Sequence, residues 1–175
     1  MISNLLRCTV CRSTEFMVSL WVSHIRPLIE YGSCVWNVKY LCDARRLESL
    51  QRRWTREIHG LSGMEYVDRL RSTGLFSIHG RLLRIDLVMV WKSFHSDVDL
   101  GLESLFEVAR DVGTRGHRFK LAIPVCRSEV RKRSFTVRVV SVWNSLPSRV
   151  VEAESVECFK KRLDCVLDSR LLTTI

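Results

Sequence analysis

Residues 43–58 read DARRLESLQRRWTREI, and the spacing of their apolar side chains predicts an amphipathic helix. Successive apolar positions lie 3, 4 and 4 residues apart, which places them on one narrow helical stripe. The stripe comprises Leu47, Leu50, Trp54 and Ile58. Asp43 is the expected N-cap of this helix and Gly60 its terminator. We therefore expect the stripe to face a hydrophobic core.

The opposite face of the same predicted helix carries a row of arginines. Five of them occur within twelve residues: Arg45, Arg46, Arg52, Arg53 and Arg56. Glu48 and Glu57 neutralise this row only in part. Two interpretations follow from the spacing, an ordinary solvated face or a track for phosphates, and the spacing does not choose between them.

Helical patterns continue on both sides of this stretch. A mostly buried helix is predicted over 15–25, a break at Arg26-Pro27, and a short helix over 27–36 whose Tyr31, Cys34 and Val35 face a core. Further helices are predicted over 62–71 and over 77–95, the latter capped by Ser77.

The tail over 113–164 is the most patterned part of the chain. Phe119, Leu121 and Ile123 alternate with basic residues and predict one short strand that stops at Pro124. The stripe from Phe135 to Leu146 favours a helix over a strand, although its valines favour the strand. Ser155 is expected to cap a last helix.

These elements predict a mainly α protein, a helical bundle with a small basic α-rich tail that contains one short strand. The expected organisation is an irregular N-terminus over 1–13, a helical domain over 14–95, an acidic linker over 96–109 and a basic tail domain over 110–170. The linker is placed where Asp97, Asp99, Glu103 and Glu107 reverse the local charge.

Charge is the main compositional signal. The formal net charge is +9 and the pI about 9.6, and 22 of the 28 basic residues are arginine. The segment from Arg110 to Arg138 contains nine basic residues and two acidic ones. This balance favours an acidic partner, nucleic acid or an anionic membrane surface, over ordinary solvated faces. No apolar window of membrane-spanning length occurs, so no membrane span is expected, and nucleic acid rather than a membrane is the expected partner.

The sequence predicts neither catalysis nor a cofactor. It contains no Asp-Asp pair, no glycine-rich phosphate loop and no nucleophile elbow, and its five histidines are scattered. Cys8 and Cys11 have the spacing of a zinc or redox pair, but two ligands fall short of the four that zinc prefers. We therefore expect no metal, and the odd count of seven cysteines suggests reduced thiols in the nucleus and/or cytoplasm.

Several blocks, in order, resemble the C-terminal part of non-LTR (LINE, jockey-like) retrotransposon reverse transcriptases. The segment RPLIEYGSCVWN over 26–37 is similar to the pattern RP-x-LEYGS-x-VWNP, and LESLQRR over 47–53 is similar to LE-x-VQRR. The tail matches most closely, with TRGH over 114–117 and WNSLP over 143–147. The resemblance covers about residues 14–168.

The resemblance implies a helical thumb followed by a short post-thumb tail. In that family the thumb holds the template–primer duplex against the polymerase centre, whose two adjacent catalytic aspartates lie upstream and have no counterpart here. The expected function is backbone binding of template–primer RNA or DNA, beside the upstream reverse transcriptase domain of a parent polyprotein. The chain is not expected to be an enzyme by itself, although it could complete a polymerase together with an upstream fragment. The alternative is a structural remnant of a truncated element with no independent activity.

The candidate nucleic-acid-binding residues lie in two groups. The helix contributes Arg45, Arg52, Arg53 and Arg56. The tail contributes Arg115, His117, Lys120, Arg127, Arg131 and Lys132. Some tail arginines could instead pair with Asp111 or Glu129, and Arg131 and Arg138 lie near the apolar stripe, where a structural role is the alternative.

Overall fold

The computed structural model describes residues 2–37, 41–95, 105–109 and 117–172. Most of these residues are helical, which confirms the mainly α class. The helices of the N-terminal half are α1 (Ile2–Cys8), α2 (Thr14–Leu20), α3 (Arg26–Glu30), α4 (Ser33–Trp36), α5 (Leu41–Arg56), α6 (Tyr66–Thr73) and α7 (Ile78–His95). Those of the C-terminal half are α8 (Glu129–Lys132), α9 (Phe135–Arg138), α10 (Val140–Asn144), α11 (Ser148–Val151) and α12 (Val156–Leu171).

The chain forms two compact units. Unit 1 comprises Met1–Leu82 together with Ser169–Ile175, and unit 2 comprises Leu83–Asp168. The boundary falls inside α7, whereas the sequence placed it in the acidic segment 96–109, most of which lies outside the described residues. The N-terminus predicted to be irregular contains α1.

The break predicted at Arg26-Pro27 is wrong, because the first long helix of unit 1 continues through Pro27. A π-helical turn, Trp21–Ile25, links α2 directly to α3, and the N–H of Arg26 donates to the carbonyl of Trp21 five residues earlier. Proline lacks an N–H and its ring crowds the preceding turn, so a locally widened helix can accommodate it. The break comes instead at Gly32, whose φ of 63° is left-handed.

On both sides of Gly32 the chain exposes side chains that the sequence assigned to a core. Tyr31 and Val35 are largely exposed, and Cys34 is half-buried. Other expectations are confirmed. Ser77 Oγ accepts the N–H of Gly80 at 3.0 Å and caps α7, and Ser155 Oγ accepts the N–H of Cys158 at 3.2 Å and caps α12.

In unit 2 the tail stripe is helical, as favoured, in the form of α9 and α10. The predicted strand is reduced to a single antiparallel bridge between Val108 and Leu121 among the described residues. The side chain of Asn144 takes both backbone groups of Leu121: its Oδ1 accepts the N–H at 2.9 Å and its Nδ2 donates to the carbonyl at 2.8 Å. A residue whose backbone is satisfied by a side chain has no groups left for a further ladder.

Candidate nucleic-acid interface

The arginine row of α5 is solvent-exposed along its whole length. Its members are Arg45, Arg46, Arg52, Arg53 and Arg56. At about 100° per residue, Arg45, Arg52 and Arg56 project in nearly the same direction, while Arg46 and Arg53 form a second row beside them. The row from Arg45 to Arg56 extends over about 16 Å, given 1.5 Å per residue.

These guanidinium groups are only lightly neutralised by the described part of the chain. Arg46 lies 3.5 Å from Asp43, and both side chains are exposed, so the pair is weak. Arg53 donates to Ser3 Oγ at 3.4 Å. Arg45 and Arg56 form no ion pair with any described residue. The face therefore keeps a strong positive field.

Asp43, the predicted N-cap, lies inside the first turn of α5, which begins at Leu41. The core face of α5 is also rotated from the predicted stripe. Trp54 and Ile58 are buried as expected, but Leu50 remains 36% exposed. The helix instead buries a line of polar residues, Glu48, Gln51 and Thr55.

Glu48 is the most important of these three buried polar residues. The sequence predicts instead that it partly neutralises the arginine row. Only 2% of it is exposed. Its carboxylate accepts the hydroxyl of Tyr66 at 2.5 Å and the N–H of Ile78 at 3.0 Å. Because Tyr66 lies in α6 and Ile78 begins α7, one carboxylate fixes α5 against two neighbouring helices. The i, i+3, i+7 spacing of the three polar residues was the available signal.

Burial sets the protonation of this carboxyl group. Burial raises the pKa of Glu48, while the hydrogen bonds from Tyr66, His79 and Ile78 and the nearby Arg52 lower it to a smaller extent. The direction follows because a charged carboxylate is disfavoured when it leaves water.

Aromatic and guanidinium groups order the base of the arginine face. Arg52 lies over the ring of Tyr66, with its Cζ 4.8 Å from the ring centroid. Arg69 is buried and donates to Thr55 Oγ1 at 3.1 Å and to the carbonyl of Arg52 at 3.5 Å. Arg69 therefore has a structural role beneath the face, and Arg52 is held in a defined direction.

The tail candidates separate into different environments. Arg115 lies outside the described residues. Arg127 and Arg131 are exposed, and Lys120 is half-buried. Lys132 is exposed and lies 2.6 Å from Glu129, which lowers the pKa of Glu129. Arg127, Arg131 and Lys132 lie within six residues of one another, in and just before α8.

His117, which the sequence predicts to bind nucleic acid, is buried in unit 2. It is 3% exposed, and its Nε2–H donates to the carbonyl of Trp143 at 3.1 Å. Its ring packs edge-on against the indole of Trp143 at 5.7 Å. A phosphate cannot reach a buried imidazole, so this residue supports the core of unit 2.

Arg138 is structural, as the alternative interpretation allowed. Its guanidinium group binds both carboxylate oxygens of Asp86, at 2.8 and 2.9 Å. Arg131, for which the same alternative was raised, is exposed.

No metal site or membrane span occurs in the described ranges. Cys8 and Cys11 are free and exposed, and no group of three potential ligands exists among residues 2–37, 41–95, 105–109 and 117–172. Within the same ranges no helix is both long and apolar enough to span a membrane.

Comparisons with known protein families, with curated proteins and with solved structures found no match.

Proposed function

We propose that this chain is a non-catalytic nucleic-acid-binding module, the thumb and post-thumb part of a non-LTR retrotransposon reverse transcriptase. Its ligand is the sugar–phosphate backbone of a template–primer duplex. The observation that carries the proposal is the arginine face of α5, with five exposed guanidinium groups on one side of one helix.

The dimensions of this face suit a polynucleotide. The row from Arg45 to Arg56 extends over about 16 Å, which equals the axial rise of about five nucleotides of a duplex at about 3.4 Å each. Guanidinium groups bind phosphate oxygens through two parallel N–H donors. Arg52, which lies over the ring of Tyr66, loses less side-chain freedom on binding than an unrestrained arginine would.

The tail adds a second basic surface in unit 2. Arg127, Arg131 and Lys132 are the exposed candidates there. Since Lys132 already has Glu129 as an exposed partner, we assign the tail a smaller contribution than the helix face.

A salt titration tests the proposal. Affinity for an RNA–DNA duplex should fall steeply with salt, with a slope of about 0.9 in log–log form for each phosphate neutralised. Replacing Arg45, Arg52, Arg53 and Arg56 together by Gln should lower both the affinity and the slope.

A charge-matched control distinguishes the site from net charge. Arg71, Arg118, Arg149 and Arg162 are also exposed, and replacing these four by Gln removes the same formal charge. This variant should retain most of the affinity. Equal losses in the two variants would show a diffuse charge effect, and no binding by the wild type at about 50 mM salt would favour the structural remnant.

Two further measurements complete the test. Replacing Arg127, Arg131 and Lys132 by Gln measures the share of the tail in binding. Primer extension with this chain alone should give no incorporation, because the proposal assigns it binding without polymerase chemistry; any incorporation would contradict that assignment.

A further inference from the structure

A groove of unit 1 lies beside the arginine face and has a different chemistry. Its volume is about 400 Å³, within the usual range for small-molecule sites. The walls are mainly apolar and are formed by Leu28, Ile29, Trp36, Leu47, Leu50 and Arg53, together with Ser3 and Ile25. Three of these apolar residues, Leu28, Trp36 and Leu50, remain exposed to solvent.

Trp36 is the aromatic wall of this groove. It is 41% exposed, although its indole is held in place because Nε1–H donates to the carbonyl of Tyr31 at 2.6 Å. That bond closes over the left-handed turn at Gly32, so the turn that ends the preceding helix also fixes the ring. An exposed and fixed aromatic ring is a suitable surface for stacking.

The charge of the groove limits the class of its occupant. Arg53 belongs both to the groove lining and to the arginine face of α5. Among the described residues, no acidic side chain lines the groove. An apolar and aromatic surface with a cationic rim matches a flat, apolar-faced group attached to an anionic backbone, which describes a nucleotide.

We propose that this groove takes one unpaired nucleobase of a single-stranded segment adjoining the bound duplex. The base stacks on Trp36, Leu28 and Leu50 provide apolar contact, and Arg53 binds the adjacent phosphate. This inference rests on the proposed backbone binding by α5 and adds to it a base-dependent contact on single strands.

The distribution of tryptophans makes the contact directly measurable. The chain has five tryptophans, and Trp21, Trp54, Trp91 and Trp143 are all buried. Acrylamide quenching of the intrinsic emission therefore reports mainly on Trp36. Adding oligo(dT) should quench the emission by stacking and should also protect the residual emission from acrylamide. An abasic oligonucleotide of equal length, which has the phosphates and lacks the bases, should do neither.

Two substitutions separate stacking from simple apolar contact. Trp36→Phe keeps an aromatic ring, whereas Trp36→Leu keeps bulk and loses the ring face. Anisotropy with labelled oligo(dT) should show roughly tenfold weaker binding for Trp36→Leu, with a smaller loss for Trp36→Phe, since stacking of one base accounts for a change of about that size. Affinity for a blunt RNA–DNA duplex should stay unchanged in both variants, and circular dichroism verifies that both are folded.

The outcomes distinguish this inference from the function on which it rests. If oligo(dT) and the abasic oligonucleotide bind equally and leave the emission unchanged, backbone binding stands and the base site is refuted. If neither these oligonucleotides nor the duplex binds, the proposed function is refuted, and the base site that rests on it is refuted as well. If the emission of the protein alone shifts to shorter wavelength with increasing concentration, a second copy occupies the groove, and the base site is again refuted.

Discussion

Arg138 and Asp86 form a two-point ion pair in unit 2, in which the guanidinium Nε and Nη2 lie 2.8 and 2.9 Å from the two carboxylate oxygens. Asp86 lies in α7 and is 2% exposed, while Arg138 ends α9, 52 residues later in the chain. A buried carboxylate with such a partner connects the basic tail to the long helix. The pair also removes one of the tail's cations from any interface.

Replacing Arg138 by Leu should therefore destabilise the protein strongly. Loss of one partner leaves the other charge buried, and such changes lower the free energy of unfolding by about 3–5 kcal/mol. Urea denaturation measures the change. As a control, Lys132→Gln removes the exposed pair with Glu129 and should leave the urea midpoint nearly unchanged. Similar values for the two variants would contradict the structural role of Arg138.

Glu48 should make stability depend on pH in the acidic range. Because burial raises the pKa of Glu48 above its ordinary value of 4.5, the folded state keeps this proton to higher pH than the unfolded state. The contribution is complete below the unfolded pKa and is lost as pH rises through the folded pKa. We expect the free energy of unfolding of the wild type, relative to Glu48→Gln, to fall as pH rises above 4.5. Parallel curves for the two proteins would contradict this.

His117 should act in the opposite direction. Burial lowers the pKa of His117 below its ordinary 6.5. The hydrogen bond to the Trp143 carbonyl raises this pKa to a smaller extent, Lys120 lowers it further, and Glu152 has the smallest, opposing effect. The unfolded state therefore takes up the proton first on acidification, and the stability present above pH 6.5 is lost as pH falls below it. His117→Gln should flatten this part of the stability curve and leave duplex affinity unchanged. A loss of duplex affinity in His117→Gln would show that His117 contributes to the interface.

Leu50 in α5 and Ile58, two residues beyond its end, provide a matched pair for testing the rotated core face. Ile58 is fully buried and Leu50 is partly exposed, although the sequence placed both on one apolar stripe. Ile58→Ala should lower the free energy of unfolding by about 2–5 kcal/mol, as for other buried aliphatic residues, while Leu50→Ala should cost clearly less. Thermal or urea unfolding of the two variants checks the difference, and equal losses would favour the unrotated stripe.

The elements that the sequence predicted well are those whose signal is local. The structure confirms the helix predicted over 43–58, the caps at Ser77 and Ser155, and the helical form of the tail stripe, although the first helix begins at Leu41 and ends at Arg56. All of these depend on contacts within a few residues. The exposure of the arginine row could also be predicted from neighbouring residues, because five charged groups so closely spaced cannot all be buried.

Other features depended on partners distant in the chain. Among the described residues, the strand expected around Leu121 is a single bridge to Val108, and the other edge of Leu121 is bound by the side chain of Asn144, 23 residues later. The exposed position of Tyr31 follows from the turn at Gly32, which the apolar pattern did not reveal. Histidine is a basic residue type, but His117 is buried because it contacts Trp143, 26 residues later in the chain.

By itself the sequence determined a mainly helical protein with a concentrated positive charge and a cationic face on α5, since periodicity and charge are properties of neighbouring residues. Tertiary structure alone decided which side of that helix enters the core and which charged groups are withdrawn from solvent. Glu48 enters the core because a hydroxyl and backbone N–H groups from two other helices replace its water. A carboxylate whose hydrogen bonds come from residues 18 and 30 positions away cannot be told from an exposed one by its neighbours along the chain.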